Sequence, residues 1–195
     1  MKQPTVADLK RKEVVDTTGE TIIADAEEVL GAKLRERRAK PKFCILVDTR
    51  EQAELSPHFD GAECTYEKAT LPTGDYSLKG ATHLLSIERK SLSDLTQCCG
   101  KDRERFLDQM ARLAAYPHKF LVIERPEAEI HAQAYRSQIK PQSVIATLMA
   151  IQVKYGVCVV FCDGVKDCAR KVQWLCWYVS ERQRKGMYEQ QEGAA

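Results

Sequence analysis

Asp75, Glu88 and Lys90 are the residues whose types and spacing most directly imply chemistry. Asp75 follows the turn-forming run Leu71-Pro72-Thr73-Gly74 and opens a short strand-like segment, Asp75-Tyr76-Ser77-Leu78. Glu88 closes the return strand predicted over His83 to Glu88, within Ile87-Glu88-Arg89-Lys90. Lys90 lies two positions beyond Glu88, and on a strand such a pair shares a face. Carboxylate oxygens suit hard cations such as Mg²⁺. An ammonium beside metal-bound carboxylates can orient a water or neutralise the charge growing on phosphorus. The chemistry so predicted is hydrolysis of a phosphodiester. Two further acids, Asp48 and Glu51, flank Arg50 after the apolar run Phe43-Cys44-Ile45-Leu46-Val47, where polar side chains are costly unless used. Charged residues make up 30% of the chain, so the types alone leave open that these groups form only salt bridges at a sheet edge.

Positioning these residues requires strands that end together. The run from Phe43 to Val47 predicts a buried strand, and Ala62 to Ala69 a second. Ser91 or Ser93 caps a helical stretch in which Phe106, Leu107, Met110, Leu113 and Ala114 recur at helical spacing, with Arg103, Arg105 and Arg112 between them. Lys119 to Ile123 predicts a strand closing on Glu124. Pro141 opens a helix that Gly156 stops, and Val157 to Phe161 predicts the last strand. A final helix is predicted over Lys166 to Lys185, with Ala169, Val172, Leu175, Cys176 and Val179 as its buried stripe and Gly186 beyond its end. Near-continuous apolar strands alternating with helices imply an α/β fold, a mixed or parallel sheet covered by helices on both faces. Arg170, Trp174, Trp177 and Tyr178 lie beside the stripe of the final helix. Large aromatics there extend the core, form a dimer face or make a base-stacking platform.

A chain of 195 residues with 44% hydrophobic content suits one domain of ordinary size plus a tail. Thirty Lys and Arg against 28 Asp and Glu give only +2, so any nucleic-acid surface must arise from local clustering. No window approaches 18 consecutive apolar residues, and the start lacks the apolar run of a secretory signal. The expectation is a soluble intracellular protein without a membrane partner. Eight cysteines without paired CxxC spacing read as reduced thiols rather than a zinc site, and the four histidines show no ligand spacing. Residues 1–41 read as a charged arm, partly helical or flexible, with helix-forming composition from Asp25 to Lys40. Within Lys33 to Lys42 stand six basic residues and one acid, either a solvated helix end or a phosphate- or partner-contacting patch. Residues 187–195 read as a disordered tail.

Val47-Asp48-Thr49-Arg50-Glu51, Gly74-Asp75-Tyr76, Ile87-Glu88-Arg89-Lys90-Ser91 and Asp94 together resemble the XPF-type nuclease domain, whose hallmark is Gly-Asp, a variable gap, Glu-Arg-Lys, three residues, then Asp. Gly100 to Phe106, Gln109, Leu121 to Glu124 and Tyr155-Gly156-Val157 are similar to later parts of that domain. The nuclease domain is therefore expected over residues 42–186. The resemblance implies a restriction-endonuclease-like fold and cleavage of DNA near single- to double-strand junctions, dependent on Mg²⁺ or Mn²⁺. Carried over, it implies Asp75, Glu88 and Asp48 as metal ligands and Lys90 as the group that positions or activates water. Glu51 completes the acidic cluster, and Arg50 and Arg89 hold the scissile phosphate or pin the carboxylates. Arg103 and Arg105 face DNA or form a solvated helix face, Asp94 caps or orients the helix after the strand, and Glu124 matches a strand-end acid that serves either a buried ion pair or function. Larger relatives carry helix-hairpin-helix modules that this sequence lacks, so it resembles the short stand-alone versions of bacteria and phages. The family's habit of dimerising implies a homodimer or a partner protein. A non-catalytic DNA-binding or scaffolding subunit is the alternative, which the presence of Asp48, Glu51, Asp75, Glu88 and Lys90 counts against.

Overall fold

The apolar runs of the sequence become strands of a sheet buried on both faces. The computed structural model describes residues 11–15, 21–25, 43–52 and 55–188, and the chain divides into two units, Met1–Pro41 and Lys42–Ala195. The first unit holds an antiparallel hairpin of β1 (Arg11–Val15) and β2 (Thr21–Asp25), with Arg11 opposite Asp25 and Val15 opposite Thr21. This hairpin departs from the helical or flexible arm expected there; Val14, Val15, Thr21, Ile22 and Ile23 are the β-branched residues that favour strands. Except for Asp25, which ends β2, the helix predicted over Asp25 to Lys40 lies outside the described residues.

In the second unit, β3 (Phe43–Asp48), β4 (Cys64–Ala69), β5 (Tyr76–Leu78), β6 (Leu85–Lys90), β7 (His118–Ile123) and β8 (Cys158–Phe161) form one sheet in the order β4-β3-β5-β6-β7-β8. The short β5 pairs antiparallel with both β3 and β6, and the other pairings are parallel. Among the described residues five α-helices accompany it: α1 (Leu92–Cys99), α2 (Arg103–Leu113), α3 (Glu127–His131), α4 (Pro141–Tyr155) and α5 (Val165–Arg184). The helical stretch predicted after Ser91 is thus two helices, broken at Gly100. The fold is a mixed α/β sandwich of the restriction-endonuclease-like kind.

Alternation along the strands divides the core in two. Ile45, Val47, Tyr76, Leu78, Leu85, Ile87 and Val122 pack against Cys168, Ala169, Val172, Cys176 and Val179 of α5. On the other face Leu121 and Ile123 pack with residues of α1, α2, α3 and α4, among them Leu95, Met110, Ile130 and Leu148. Each large apolar side chain so buried contributes about 1.5–3 kcal/mol. A proline at its start and Gly156 at φ +62 beyond its end bound α4, as the sequence predicted. On α5, Trp177 packs partly against the core, whereas Trp174 and Tyr178 stand 54% and 60% exposed. The tryptophans therefore do not both extend the core, because positions 174 and 178 fall one step round the helix from the buried stripe. Tyr188, within the predicted tail, is described: its hydroxyl lies 2.7 Å from His118 Nε2. No described helix is long and apolar enough to cross a membrane.

Candidate active site

The site is built by a glycine that lets two strands approach. Gly74 has φ +82, and a Cβ there would overlap Ser86 Oγ and lie 2.9 Å from the Ile87 carbonyl oxygen. Any other residue would be strained by conformation and blocked by contact. The next residue is locked by its backbone: the Asp75 N–H donates to Ile87 O at 2.8 Å, and Asp75 O accepts from Asp48 N at 2.8 Å. Ser86 Oγ donates to Thr73 O at 2.9 Å from below the turn. The Gly-Asp pair thus stitches the carboxyl end of β3 to β6, bringing Asp48, Asp75 and Glu88 together.

Ser86, Glu88 and Lys90 lie on the α1–α2 face of β6, while Leu85, Ile87 and Arg89 lie on the α5 face. Asp48, Arg50, Thr73, Gly74, Asp75, Glu88 and Lys90 line one cleft of about 290 Å³, closed on its far side by Arg105, Gln109 and Arg112 of α2. Those three recur at helical spacing and share one face. Gln109 and Arg112 lie beyond the site residues expected from sequence, although their spacing from Arg105 carries that signal. Arg103 turns the other way and donates to Thr147 Oγ1 on α4, so only Arg105 of the two predicted DNA-facing arginines lines the cleft.

The carboxylates differ in partners. Asp48 Oδ1 accepts from Arg50 N and Nε at 2.9 and 2.7 Å, and Oδ2 from Arg50 Nη2 and Leu71 N at 3.0 and 2.7 Å. The Arg50 guanidinium holds the Asp48 carboxyl down at about 2. With both oxygens engaged, Asp48 serves as the anchor of Arg50, not as an open ligand. Asp75 Oδ2 accepts from Arg89 N at 2.8 Å. Burial, then the neighbouring Glu88 charge, push Asp75 up to about 7. Glu88 is 1% exposed, with Oε1 bonded to Lys90 Nζ and Oε2 buried without a hydrogen-bond partner. Burial opposes the Lys90 charge, yet Glu88 raises its pKa above the ordinary value. A buried carboxylate oxygen without a donor is costly, and that oxygen beside Asp75, whose charge is disfavoured by burial and by its neighbour, fits a hard divalent cation. Among the described residues no group of three or more His, Cys, Asp or Glu is arranged to hold a metal.

Glu51 and Arg89 belong to a second cluster on the opposite face. Arg89 Nε donates to Glu124 Oε1 at 2.7 Å, Nη2 also reaches Glu124, and Nη1 lies 3.4 Å from Glu51 Oε1. This buried network corrects the expectation that Glu51 joins the acidic cluster, and of the two roles expected for Arg89 it shows the pinning of carboxylates, those of Glu124 and Glu51: alternation on β6 turns Arg89 away from Glu88 and Lys90. Asp94 caps α1. Its N–H donates to Ser91 Oγ at 3.1 Å, and Ser91 Oγ donates to Asp94 Oδ2 at 2.8 Å.

The family model of the ERCC4 domain matches residues 47–175. Among solved structures, XPF from Aeropyrum pernix is similar at 25% identity and TM-score 0.59, over 70% of this chain and 61% of that one. XPF from Aeropyrum pernix in complex with DNA is similar at 24% identity and TM-score 0.60, over 72% of this chain and 66% of that one. This chain therefore covers less than two thirds of either relative. No curated protein matches significantly.

Proposed function

The chain belongs to the ERCC4-domain family of XPF-type nucleases, and from that premise we propose that it is a Mg²⁺- or Mn²⁺-dependent endonuclease cutting DNA near junctions between single and double strands. The observation that carries this reading is the meeting of Asp75, Glu88 and Lys90 in one cleft, with the buried Glu88 Oε2 left without a donor. Asp75 and Glu88 are the residues that would hold the cation, which when bound supplies Lewis-acid polarisation of the phosphodiester and acidifies water. Lys90, fixed by Glu88 on its own strand, presents its remaining ammonium protons to the cleft and orients the attacking water. Arg105 and Arg112, two turns apart on one face of α2 across the cleft, receive the flanking phosphates. Arg50, held rigid by both oxygens of Asp48, adds a third cation at the rim. A solved relative is a complex with DNA, which supports DNA as the substrate.

Incubation of the purified protein with labelled duplex, flap, fork and nicked DNAs, with Mg²⁺, Mn²⁺ or EDTA, tests the reading. Metal-dependent cutting that favours branched substrates is expected. Binding without cutting in either metal would replace the enzyme with a DNA-binding subunit.

A further inference from the structure

Beside the cleavage cleft lies a larger groove of about 820 Å³, between α1 and the segment from Glu124 to Ser137. Its size is within the ~300–1,000 Å³ of pockets that enclose organic ligands. Lys90 lines the cleft, and the next residue, Ser91, lines the groove, so the two lie to either side of the junction of β6 and α1. A polymer seated at Glu88 and Lys90 would reach the groove past the junction of β6 and α1.

Ser93, Gln97, Lys101, Arg125, Tyr135 and Arg136 give the groove its chemistry. Two acids also line it, but both are engaged. Glu124 is held by Arg89, and Glu129 Oε1 lies 3.7 Å from Arg125 Nη1. That leaves Lys101 and Arg136, both exposed, without an ion pair among the described residues. Tyr135 is half-buried, and its hydroxyl donates to Ile139 O at 3.0 Å, which fixes the ring at the wall. The loop bearing it leaves α3 through Gln133 at φ +52, a left-handed conformation uncommon outside glycine. Unpaired cations together with an immobilised aromatic ring suit a strand that offers phosphates and unstacked bases at once. A paired duplex hides its base faces and gains nothing from the ring.

We propose that this groove binds the single-stranded arm of a branched DNA as it continues from the cleavage cleft, with Lys101 and Arg136 on phosphates and Tyr135 stacked on a base. The proposal rests on the nuclease reading only for the identity of the strand, so binding and cutting are measured separately. The full-length protein is titrated against fluorescein-labelled oligothymidylate in EDTA, over a range of salt concentrations, and against a duplex of equal length. Replacing Lys101 and Arg136 together by alanine is expected to weaken single-strand binding by about tenfold or more. The log–log salt slope should become shallower by about 1.4, at ~0.7 for each single-strand phosphate that is no longer neutralised. The loss for duplex should be at least several-fold smaller. Tyr135→Leu is expected to weaken single-strand binding by roughly fivefold or more with the slope unchanged, since a stacked base carries no charge. An unchanged affinity and slope in the double variant overturn the proposal, as does a wild-type protein that does not bind oligothymidylate. Wild-type cutting of branched DNA is then assayed with Mg²⁺ and Mn²⁺. Groove-dependent strand binding without cutting supports the groove and sinks the nuclease reading, and cutting with no effect of the groove variants does the reverse.

Discussion

Asp75 is the residue on which the chemistry can be titrated. Its folded pKa of about 7 stands above the ordinary 3.8, so the protonated form is favoured by folding without metal. The stability this contributes is fully present below about pH 4 and is lost as pH rises through about 7. A divalent cation must displace the same proton, so its apparent affinity should climb up to about tenfold per pH unit below 7 and level off above. Calorimetric titration with Mg²⁺ between about pH 5.5 and 8 reads this directly; a flat profile would contradict it. Asp75→Asn should lower cutting by roughly a hundredfold or more, equivalent to about 3 kcal/mol, while retaining DNA binding. The part of the fall in its metal-free melting temperature between about pH 4 and 7 that Asp75 causes should disappear. Across the cleft, Arg105→Ala and Arg112→Ala should each weaken duplex binding and make the salt slope shallower by about 0.9, measured by fluorescence anisotropy. Much of this site was legible because Gly-Asp and Glu-x-Lys carry their geometry in local spacing. Arg89 does pin carboxylates, but those of Glu124 and Glu51 and not of the cleft, because strand alternation sends its side chain to the other face from its neighbour Glu88. Asp48 differs for another reason: which donors reach its oxygens depends on the path of residues 69–71, a tertiary fact that spacing does not encode.

Elements place these side chains, and their signals varied with how local they are. Pro141 and Gly156 bounded α4 correctly because each acts through its own φ. The break between α1 and α2 was hidden because the apolar stripe resumes with Phe106 after Gly100, so periodicity continues across the gap. The turn at Gly74 is the element-scale test of the site. Gly74→Ala should cost about 2–4 kcal/mol, from the left-handed conformation and the contacts with Ser86 and Ile87, and chemical denaturation measures it. A cost below ~1 kcal/mol would mean the turn can shift and does not fix Asp75. The end of α3 offers the opposite sign. Gln133 N–H donates to Ile130 O at 3.0 Å and Ala134 N–H to Glu129 O at 2.9 Å, a Schellman pattern with glutamine where glycine is preferred. Gln133→Gly should therefore stabilise the protein by up to about 1 kcal/mol, seen as a raised denaturation midpoint.

At the scale of the molecule, the two edges of the sheet are unlike. The β4 edge exposes Thr65, Tyr66, Glu67 and Lys68, and Glu67 is paired with Lys79; charge of this kind discourages strand addition. The β8 edge carries Cys-Val-Val-Phe, with Val159, Val160 and Phe161 only partly covered. The helices joined to it expose large apolar side chains among charged ones: Met149 and Val153 of α4 are 51% and 89% exposed, as are Trp174 and Tyr178 of α5 to more than half. Arg170 lies over the Trp174 ring at 5.2 Å, a partial cover that still leaves the aromatic surface wet. Scattered apolar side chains need no explanation, but aromatics of this type are enriched where interfaces are strongest. The expected outcome is self-association through α5 with the outer side of α4 and the β8 edge, across an area of about 1,200–2,000 Å². Sedimentation at micromolar concentration should show a species of twice the chain mass. Trp174→Glu with Tyr178→Glu should return it to a monomer without lowering the melting temperature of the monomeric fold, since neither side chain belongs to the core. The candidate-site residues lie together on β3, β6, α2 and the turn before β5, so the monomeric variant should keep whatever Mg²⁺ binding the wild type shows. Its cutting should fall mainly through weaker DNA binding, because a dimer doubles the phosphate contacts that dominate affinity. A wild-type protein that sediments as a monomer, free and on branched DNA, would remove self-association and leave the aromatic face of α5 to a different partner.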